Sequence, residues 1–217
     1  MATVIAIDGP AGAGKSTIAK LVAKELNAIY IDTGAMYRAM ALYLLRNHID
    51  IEDEKALAGC VASADISIRF ADGEQQVWLN GENVNGLIRT EEVSAMASVS
   101  SAKGVVRVKL VDLQRKLAED HDVVMDGRDI GTHVLPNAKP KIFLTASSKV
   151  RAKRRYDELT ARGESCDLDT IEKDIIERDE RDKNREISPL RQAEDAILVD
   201  TSDMTIEQVK EKIISLI

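Results

Sequence analysis

The hydrophobic positions of the chain follow two periods, which predicts short buried strands alternating with amphipathic helices. The apolar run at 3–8 is rich in β-branched residues and predicts a buried strand. Beyond it, Ile18, Val22 and Leu26 recur at helical spacing. Further strands are predicted at 29–32, 122–126, 141–145 and 196–200, and helices at 33–46, 52–62, 91–100, 103–119, 148–162, 169–186 and 205–217. This alternation predicts an α/β fold in which helices cover both faces of a parallel sheet.

A different pattern interrupts this alternation between the helices predicted at 52–62 and 91–100. Apolar and polar residues alternate at 66–70 and again at 77–79, with the turn signal Asp72-Gly73 between them. Asn80-Gly81 is a second turn signal, and a short third strand is predicted at 82–85. The stretch therefore predicts a small antiparallel insertion in an otherwise α/β chain.

Length and composition are typical of one globular domain, which we expect to span residues 1–217. The 30 Lys and Arg residues and 37 Asp and Glu residues leave a net charge of −7, which argues against nucleic-acid or anionic-membrane partners. Cys60 and Cys166 lie far apart and form neither a zinc motif nor a disulfide framework. The longest apolar run, at 39–45, is far shorter than the roughly 20 residues that span a bilayer. We expect a cytoplasmic monomer.

The segment from Gly9 to Ser16 matches the phosphate-loop pattern G-x-x-x-x-G-K-[ST] in full, between a predicted strand and a predicted helix. Glycines let backbone N–H groups converge on phosphate oxygens, and the helix directs its positive end at the same anion. Lys15 is expected to reach the β- and γ-phosphates, and the Ser16 hydroxyl to ligate Mg²⁺. The predicted ATP-binding residues are Gly9, Pro10, Ala11, Gly12, Ala13, Gly14, Lys15, Ser16 and Thr17.

The helix predicted at 169–186 carries charges where its apolar stripe would continue. Ile171 and Ile175 begin a face that continues, at helical spacing, through Arg178, Asp182 and Arg185. Buried charges need opposite charges as partners, so this face predicts a charged cleft. A solvated helix with paired surface charges is the alternative.

Arginine is concentrated in the same part of the chain. Between 151 and 191 it outnumbers lysine by eight to three, although the whole chain has equal numbers of both. The guanidinium fork suits phosphate oxygens, whereas the lysine ammonium acts as a point charge. Acidic residues keep the net charge of this window near zero, so we interpret the arginines as local phosphate clamps.

A small kinase with a phosphate acceptor accounts for these features. The chain lacks the N-K-x-D and D-x-x-G motifs of GTPases, and none of its three histidines lies beside a nucleophile motif. A phosphate acceptor needs no general base, because its second pKa of about 6 makes it a dianion at neutral pH. Arginines and Mg²⁺ instead remove the repulsion between the two polyanions. We therefore predict transfer from ATP to a nucleoside monophosphate, with another small P-loop kinase or a non-catalytic nucleotide sensor as alternatives.

Five stretches together resemble the bacterial-type cytidylate kinases (CMP/dCMP kinases) of the P-loop nucleoside monophosphate kinases. They are IAIDGPAGAGKST at 5–17, YIDTGAMYR at 30–38, VVMDGRDIGT at 123–132, KIFLTAS at 141–147 and ERDERDKNR at 177–185. The match extends over essentially the whole chain. It implies a P-loop NTPase fold whose five parallel strands have the order 2-3-1-4-5. It also implies a monophosphate-binding insertion at about 63–100 and a helical lid at about 147–165.

The resemblance further implies the site residues and the reaction, phosphorylation of CMP and dCMP by ATP. Clamps on the acceptor phosphate are Arg38, Arg128 and Arg178. Residues that read the cytosine ring are Ser98, Arg107, Asp129 and Arg185. Thr33 and Asp182 lie near the ring and sugar hydroxyls, although many relatives have Ser in place of Thr33. The lid contributes Arg151, Arg154 and Arg155, which with Lys15 stabilise the transferring group.

Hydrogen bonding explains how such a pocket distinguishes cytosine from uracil. Cytosine presents acceptors at N3 and O2 and an amino donor at C4, which suit two arginines and one oxygen acceptor. Uracil reverses the pattern at N3 and C4 and leaves buried groups unpaired. For Arg107, a place on the exposed flank of its helix is the alternative interpretation.

Two carboxylates end predicted strands close to the phosphate loop. Asp126 ends the strand at 122–126, where a carboxylate suits Mg²⁺-bound water, and a structural cap is the alternative. Asp8 has the same place on the first strand. His133 is expected to be a packing or surface residue.

Overall fold

The computed structural model describes residues 3–71, 74–119 and 121–217, so the predicted turn at Asp72-Gly73 lies outside the described residues. The strands are β1 (Val4–Asp8), β2 (Ile29–Asp32), β3 (Ile66–Ala71), β4 (Glu74–Leu79), β5 (Glu82–Asn83), β6 (Val123–Gly127), β7 (Lys141–Thr145) and β8 (Ile197–Asp200). The helices are α1 (Lys15–Glu25), α2 (Thr33–Arg46), α3 (Glu54–Ser63), α4 (Glu91–Ser100), α5 (Gly104–Glu119), α6 (Ser148–Ala161), α7 (Leu168–Asn184) and α8 (Ile206–Ile214).

The central sheet is parallel and has the strand order β2-β6-β1-β7-β8. Numbered among these five strands alone, the order is 2-3-1-4-5, so the expected P-loop fold is confirmed. Each predicted strand and helix is present, with bounds that differ by a few residues. A π-helical turn at Ile130–Val134 was not predicted.

Helices pack on both faces of this sheet because successive strand residues point in opposite directions. Ile5 and Ile7 of β1 belong to one buried cluster, together with Val22 of α1. Ala6 of the same strand belongs to the other cluster, together with Met40 of α2. The core is therefore two apolar layers separated by the sheet, as the alternating pattern predicts.

The antiparallel insertion is the three-stranded sheet β3-β4-β5. Its apolar face, including Ile66, Val77 and Leu79, packs into the same cluster as α2. The side chain of Gln75 in β4 also forms two hydrogen bonds with the backbone at the end of β2. Its Oε1 accepts from the Asp32 N–H at 2.8 Å, and its Nε2 donates to the Asp32 carbonyl at 3.2 Å. The insertion is thereby fixed to the turn from which α2 begins.

The carboxyl ends of the central strands meet at one edge of the sheet, where parallel α/β sheets bind ligands. Asp32 of β2 pairs in register with Asp126 of β6, and Asp8 of β1 pairs with Gly127. The phosphate loop follows β1 at this edge. Among the described residues, none of the helices has the length and apolar character to cross a membrane.

Candidate active site

The phosphate loop leads directly from β1 into α1. Gly12 and Gly14 have φ angles of 74° and 87°, the left-handed region that glycine adopts most readily, so the loop can turn its N–H groups inward. The Lys15 ammonium is buried and donates to the Pro10 carbonyl at 2.8 Å. Burial, followed by the charge of Arg128, lowers the pKa of Lys15 to about 7. The loop thus holds a cation that an incoming polyanion would stabilise.

A cleft of about 240 Å³ opens beside this loop. It is lined by Lys15 and Ser16 on one side and by residues of α2, α4, α5 and α7 and the end of β6 on the other. The lining includes every residue predicted to hold the acceptor: Thr33, Arg38, Ser98, Arg107, Arg128, Asp129, Arg178, Asp182 and Arg185. The charged face of α7 therefore borders a cleft, as its helical spacing predicts, and is not a wholly solvated surface.

Arg38, Arg128 and Arg178 gather at the end of the cleft nearest the phosphate loop, and their positive charges are incompletely paired. Arg128 donates to Asp182 at 2.8 Å, and Arg38 donates to Asp32 at 3.0 Å. Arg178 has no ion pair in the part of the chain that the structure describes, and its buried Nε has no partner. Burial and the neighbouring Arg128 lower the pKa of Arg178 to about 10. Such a cluster is suited to a bound anion.

Asp129 organises the opposite end of the cleft. Its carboxylate accepts from Arg107 and, at 3.2 Å, from Arg185, so it holds two guanidinium groups from α5 and from the end of α7. Arg107 is buried, so the alternative of an exposed flank position is excluded. Ser98 has a buried hydroxyl without a partner. This end therefore offers arginine donors and one free hydroxyl to a polar ring.

A chain of hydrogen bonds connects the phosphate loop with β2 and β6. Ser16 donates to Asp126 at 3.0 Å, and the Tyr30 hydroxyl donates to the other oxygen of the same carboxylate at 2.9 Å. Burial, followed by the nearby Asp32, raises the pKa of Asp126 to about 6. The Thr33 hydroxyl donates to the Asp126 carbonyl at 2.7 Å. Adjacent hydroxyl and carboxylate oxygens are hard donors of the kind that Mg²⁺ prefers.

Asp8 has a different role from the one considered for Asp126. Both of its oxygens accept backbone N–H groups, from Ile130 at 2.8 Å and from Gly131 at 2.7 Å. Asp8 therefore caps the π-helical turn that follows Asp129, and the structural alternative holds for this carboxylate. In the described segments no group of three or more His, Cys, Asp or Glu side chains could hold a metal ion. His133 is exposed, as expected.

The three predicted lid arginines lie in different environments on α6, and none lines the cleft. Arg151 is buried; it donates to Asp179 of α7 at 3.1 and 2.6 Å and to the Ala11 carbonyl at 3.0 Å, which ties the phosphate loop to α7. Arg154 donates to Thr201 at 3.2 and 2.8 Å, close to Gly14. Arg155 is exposed and pairs with Glu158 at 3.0 Å. In this conformation only Arg151 and Arg154 contact or adjoin the phosphate loop.

Sequence reasoning missed three residues that shape the site. Tyr30 holds Asp126, Asp32 pairs with Arg38, and Tyr37 lines the cleft. Asp32 also begins α2, because its side chain accepts from the Ala35 N–H at 2.9 Å. The sequence Asp-Thr-Gly before a predicted helix was sufficient to predict that cap. No local sequence pattern predicts the contacts of Tyr30 and Tyr37.

Comparison with known proteins agrees with this geometry. The family model described as "Cytidylate kinase" matches residues 5–217. A cytidylate kinase of Lactobacillus gasseri is 53% identical over 213 residues, which are 98% of this chain and 93% of that protein. One from Caldicellulosiruptor bescii is 52% identical over 212 residues, with 98% and 94% covered.

The fold alone is shared with a solved structure of an uncharacterized protein from Eubacterium ventriosum. That structure has a TM-score of 0.54 at 14% identity and covers 98% of this chain and 96% of its own. The two cytidylate kinases of Lactobacillus gasseri and Caldicellulosiruptor bescii, in contrast, are about one half identical to this chain over almost their full length. Identity of that extent is sufficient to establish the family. This chain belongs to the cytidylate kinase family.

Proposed function

We propose that the chain transfers the γ-phosphoryl group of ATP to CMP and dCMP, giving ADP and CDP or dCDP. An oxygen of the acceptor phosphate attacks the γ-phosphorus in line, and the bond from that phosphorus to the oxygen bridging it to the β-phosphate breaks. The observation that carries the proposal is the incompletely paired arginine cluster beside Lys15 in one cleft. Family membership supports the same acceptor.

The arginine cluster supplies what this reaction needs most. The acceptor is already a nucleophilic dianion, so the main obstacle is its repulsion from the triphosphate. Arg178 forms no ion pair among the described residues, and there the buried Nε atoms of both Arg38 and Arg178 have no hydrogen-bond partner. A bound acceptor phosphate would accept hydrogen bonds from these guanidinium groups. It would thereby be held with one oxygen close to the γ-phosphate of ATP. The proposed catalytic residues Lys15, Arg128 and Arg178 then stabilise the charge on the transferring group.

The base end of the cleft supports cytosine as the ring that is read. Arg107 and Arg185 offer N–H donors that suit N3 and O2, and both are held in place by Asp129. The Ser98 hydroxyl is the free acceptor that suits the C4 amino group. Both oxygens of Asp129 accept from arginines, whereas the Ser98 hydroxyl has no partner among the described residues, so we assign the amino contact to Ser98. Thr33 and Asp182 are assigned to the sugar side.

The proposed metal is Mg²⁺, brought with ATP and held by the Ser16 hydroxyl and, through water, by Asp126. These two oxygens lie 3.0 Å apart, which fits a hard divalent cation beside the phosphate loop. When bound, Mg²⁺ neutralises charge on the β- and γ-phosphates. Tyr30 keeps the Asp126 carboxylate turned toward Ser16.

The proposed mobile part is the lid at about 147–165, and the insertion at about 63–100 is proposed to help seat the monophosphate. Two hydrogen bonds between Gln75 and the Asp32 backbone connect the insertion to the side of the cleft where the acceptor phosphate would bind. Closure of α6 over the triphosphate would exclude water and bring Arg154 and Arg155 closer to the phosphates, while Arg151 already anchors the phosphate loop. A monomeric state and a cytoplasmic location stay predictions.

An acceptor panel tests the proposed function. ADP release from ATP is measured with CMP, dCMP, UMP, AMP and shikimate in turn, and we expect turnover to be fastest with the two cytidine nucleotides. Faster turnover with UMP, AMP or shikimate would assign the chain to another acceptor. ATP binding without turnover of any acceptor would indicate a nucleotide sensor.

Proton uptake on ATP binding tests the state of Lys15. With its pKa at about 7, Lys15 is mostly neutral at pH 8 in the free protein. A bound triphosphate raises that pKa, so Mg–ATP binding at pH 8 is expected to take up about one proton per site and to weaken as the pH rises above 7. Calorimetry in two buffers of different ionisation enthalpy measures the uptake.

Lys20 provides the matched control for this prediction, because it lies on the same helix with its side chain exposed. Lys20→Met is expected to keep the uptake, and Lys15→Met to remove it. Binding at pH 8 without proton uptake by the unaltered protein would contradict the prediction.

A further inference from the structure

One buried carboxylate connects the phosphate loop with the base-reading end of the cleft. Asp8 is the last residue of β1 and is followed at once by Gly9, the first residue of the phosphate loop. Both oxygens of its side chain accept N–H groups of the π-helical turn, from Ile130 at 2.8 Å and from Gly131 at 2.7 Å. Burying a carboxylate is costly even when it is hydrogen-bonded, so its presence at this position calls for a reason beyond the stability of the strand.

The turn that Asp8 holds begins directly after the residue that organises the base-reading arginines. Asp129 precedes Ile130, and its carbonyl accepts from two N–H groups within the turn, at 2.9 and 3.0 Å. Its carboxylate accepts from Arg107 and Arg185. The Ile130 N–H belongs to the planar peptide unit that joins the two residues, so a displacement of that N–H displaces Asp129 with it. The positions of the two guanidinium groups therefore depend on where the turn is held.

The strand is the fixed side of this contact and the turn is the side that can move. Asp8 pairs in register with Gly127 of β6 and with Phe143 of β7, so strands flank it on both sides. The turn is a single π-helical segment, a rare form that is found frequently at functional sites. At its other end Arg115 of α5 donates to two of its carbonyls, at 3.0 and 2.9 Å. Loss of the Asp8 contact is therefore expected to displace the start of the turn and to leave β1 in place.

We propose that Asp8 is a positioning residue: by holding the start of the π-helical turn, it fixes the Asp129 carboxylate that orients the two base-reading arginines. The inference rests on the proposed function, which assigns Arg107 and Arg185 to the pyrimidine. Asp8 does not line the cleft, so its effect on the bound base passes through the turn. Because Asp8 also precedes Gly9, one residue sets the position of the base-reading end relative to the phosphate loop.

Asp8→Asn keeps the size of the side chain but replaces one acceptor oxygen with an amide group that donates. Both oxygens of Asp8 face N–H groups, so one N–H of the turn then meets a donor. We expect the KM for CMP to rise about five- to tenfold, while kcat at saturating CMP changes less than about threefold. The preference for CMP over UMP, measured as the ratio of their kcat/KM values, narrows. The dissociation constant for ATP, measured by calorimetry, changes less than about twofold because β1 stays in place.

A cap that serves only stability predicts a different result for the same variant. Asp8→Asn would then lower the melting temperature, because a buried hydrogen bond is lost. The KM for CMP and the preference for CMP over UMP would stay at the values of the unaltered protein. That outcome would overturn the proposal.

Arg115→Met is the matched control. It removes two hydrogen bonds from the same turn, but at the end away from Asp129, and Arg115 does not line the cleft. We expect a lower melting temperature and an unchanged KM for CMP. An equal rise of this KM in Arg115→Met and Asp8→Asn would show that any loosening of the turn has the same effect, which would overturn the specific role of Asp8.

Gly131→Ala tests the connection between the turn and the base even if Asp8→Asn fails to fold. A Cβ atom at position 131 would lie 3.0 Å from Lys141 Cδ and 3.4 Å from an Asp8 carboxylate oxygen. Lys141 is buried and its ammonium is held by Asp195 at 2.8 and 2.9 Å, so the turn is expected to shift away from β1. The preference for CMP over UMP is expected to narrow by about two- to threefold. An unchanged preference and an unchanged KM for CMP in Gly131→Ala would overturn the proposal.

The acceptor panel on the unaltered protein distinguishes the two possible failures. If the unaltered protein phosphorylates CMP while Asp8→Asn keeps the same KM for CMP, only the positioning role is wrong. If the unaltered protein neither binds nor phosphorylates CMP, the proposed function is wrong and the positioning role is rejected with it.

Discussion

Replacing Arg178 with methionine is expected to lower kcat/KM for CMP at least about 10²-fold while the fold stays intact. The guanidinium lines the cleft between the phosphate loop and the acceptor site, and it forms no ion pair among the residues that the structure describes. Its loss removes a donor directed at the acceptor phosphate and leaves the internal pairs of Arg38 and Arg128 in place. Steady-state kinetics with CMP as the varied substrate measures the effect.

The stability of the Arg178→Met variant is predicted to be equal to or greater than that of the unaltered protein. Folding lowers the pKa of Arg178 from its ordinary value to about 10, through burial and through Arg128. For a base, a lowered pKa means that the charged form disfavours folding at every pH below about 10, so removing the charge removes that penalty. Arg191→Met is the matched control, because Arg191 is exposed and lies outside the cleft. Unchanged kcat/KM in Arg178→Met would contradict the assignment of the α7 face to the acceptor.

Gly9→Ala is expected to destabilise the protein by at least about 3 kcal/mol and to abolish ATP binding. Gly9 is the first residue after β1, where the backbone passes over β7. A Cβ atom there would lie 1.9 Å from the Leu144 carbonyl oxygen, a backbone atom that cannot move without disturbing the pairing of β7 with β1 and β8. Urea or thermal unfolding followed by circular dichroism measures the loss.

Gly59→Ala provides a control of the opposite sign. Gly59 lies within α3, and a Cβ atom there would meet nothing within 4 Å. Alanine in a helix interior is favoured over glycine by roughly 0.5–1 kcal/mol, so this variant is expected to be more stable than the unaltered protein. If Gly9→Ala unfolds at the same midpoint as the unaltered protein, the phosphate loop can accommodate a Cβ atom at position 9. That result would contradict the prediction.

Local sequence patterns were sufficient for the elements and for the faces they present. The apolar residues of α7 stop at Ile175 and the spacing continues through Arg178 and Asp182, which was enough to predict a charged face directed at a cleft. The phosphate loop was equally readable, because its function depends on consecutive residues. In both cases the residues that act together are neighbours along the chain or along one helix, so their spacing determines their relative positions.

The roles of single charged residues were harder to predict from the sequence. Asp8 and Asp126 both end strands beside the phosphate loop, yet Asp8 caps the turn after Asp129 while Asp126 faces Ser16. Arg151 and Arg155 lie one helical turn apart, yet one is buried against Asp179 and the other is exposed. No local pattern separates the members of either pair.

The sequence by itself determined the α/β architecture, the phosphate loop and the charged face of α7. Only the tertiary structure decided which carboxylate pairs with which arginine, where the π-helical turn lies, and that the Arg107 guanidinium lies 5.8 Å from the centre of the Tyr37 ring. The physical reason is the distance along the chain over which each kind of interaction acts. Helix and strand periodicity acts over a few residues, whereas the partner of a buried charge, such as Asp129 for Arg185, is set by how distant segments pack together.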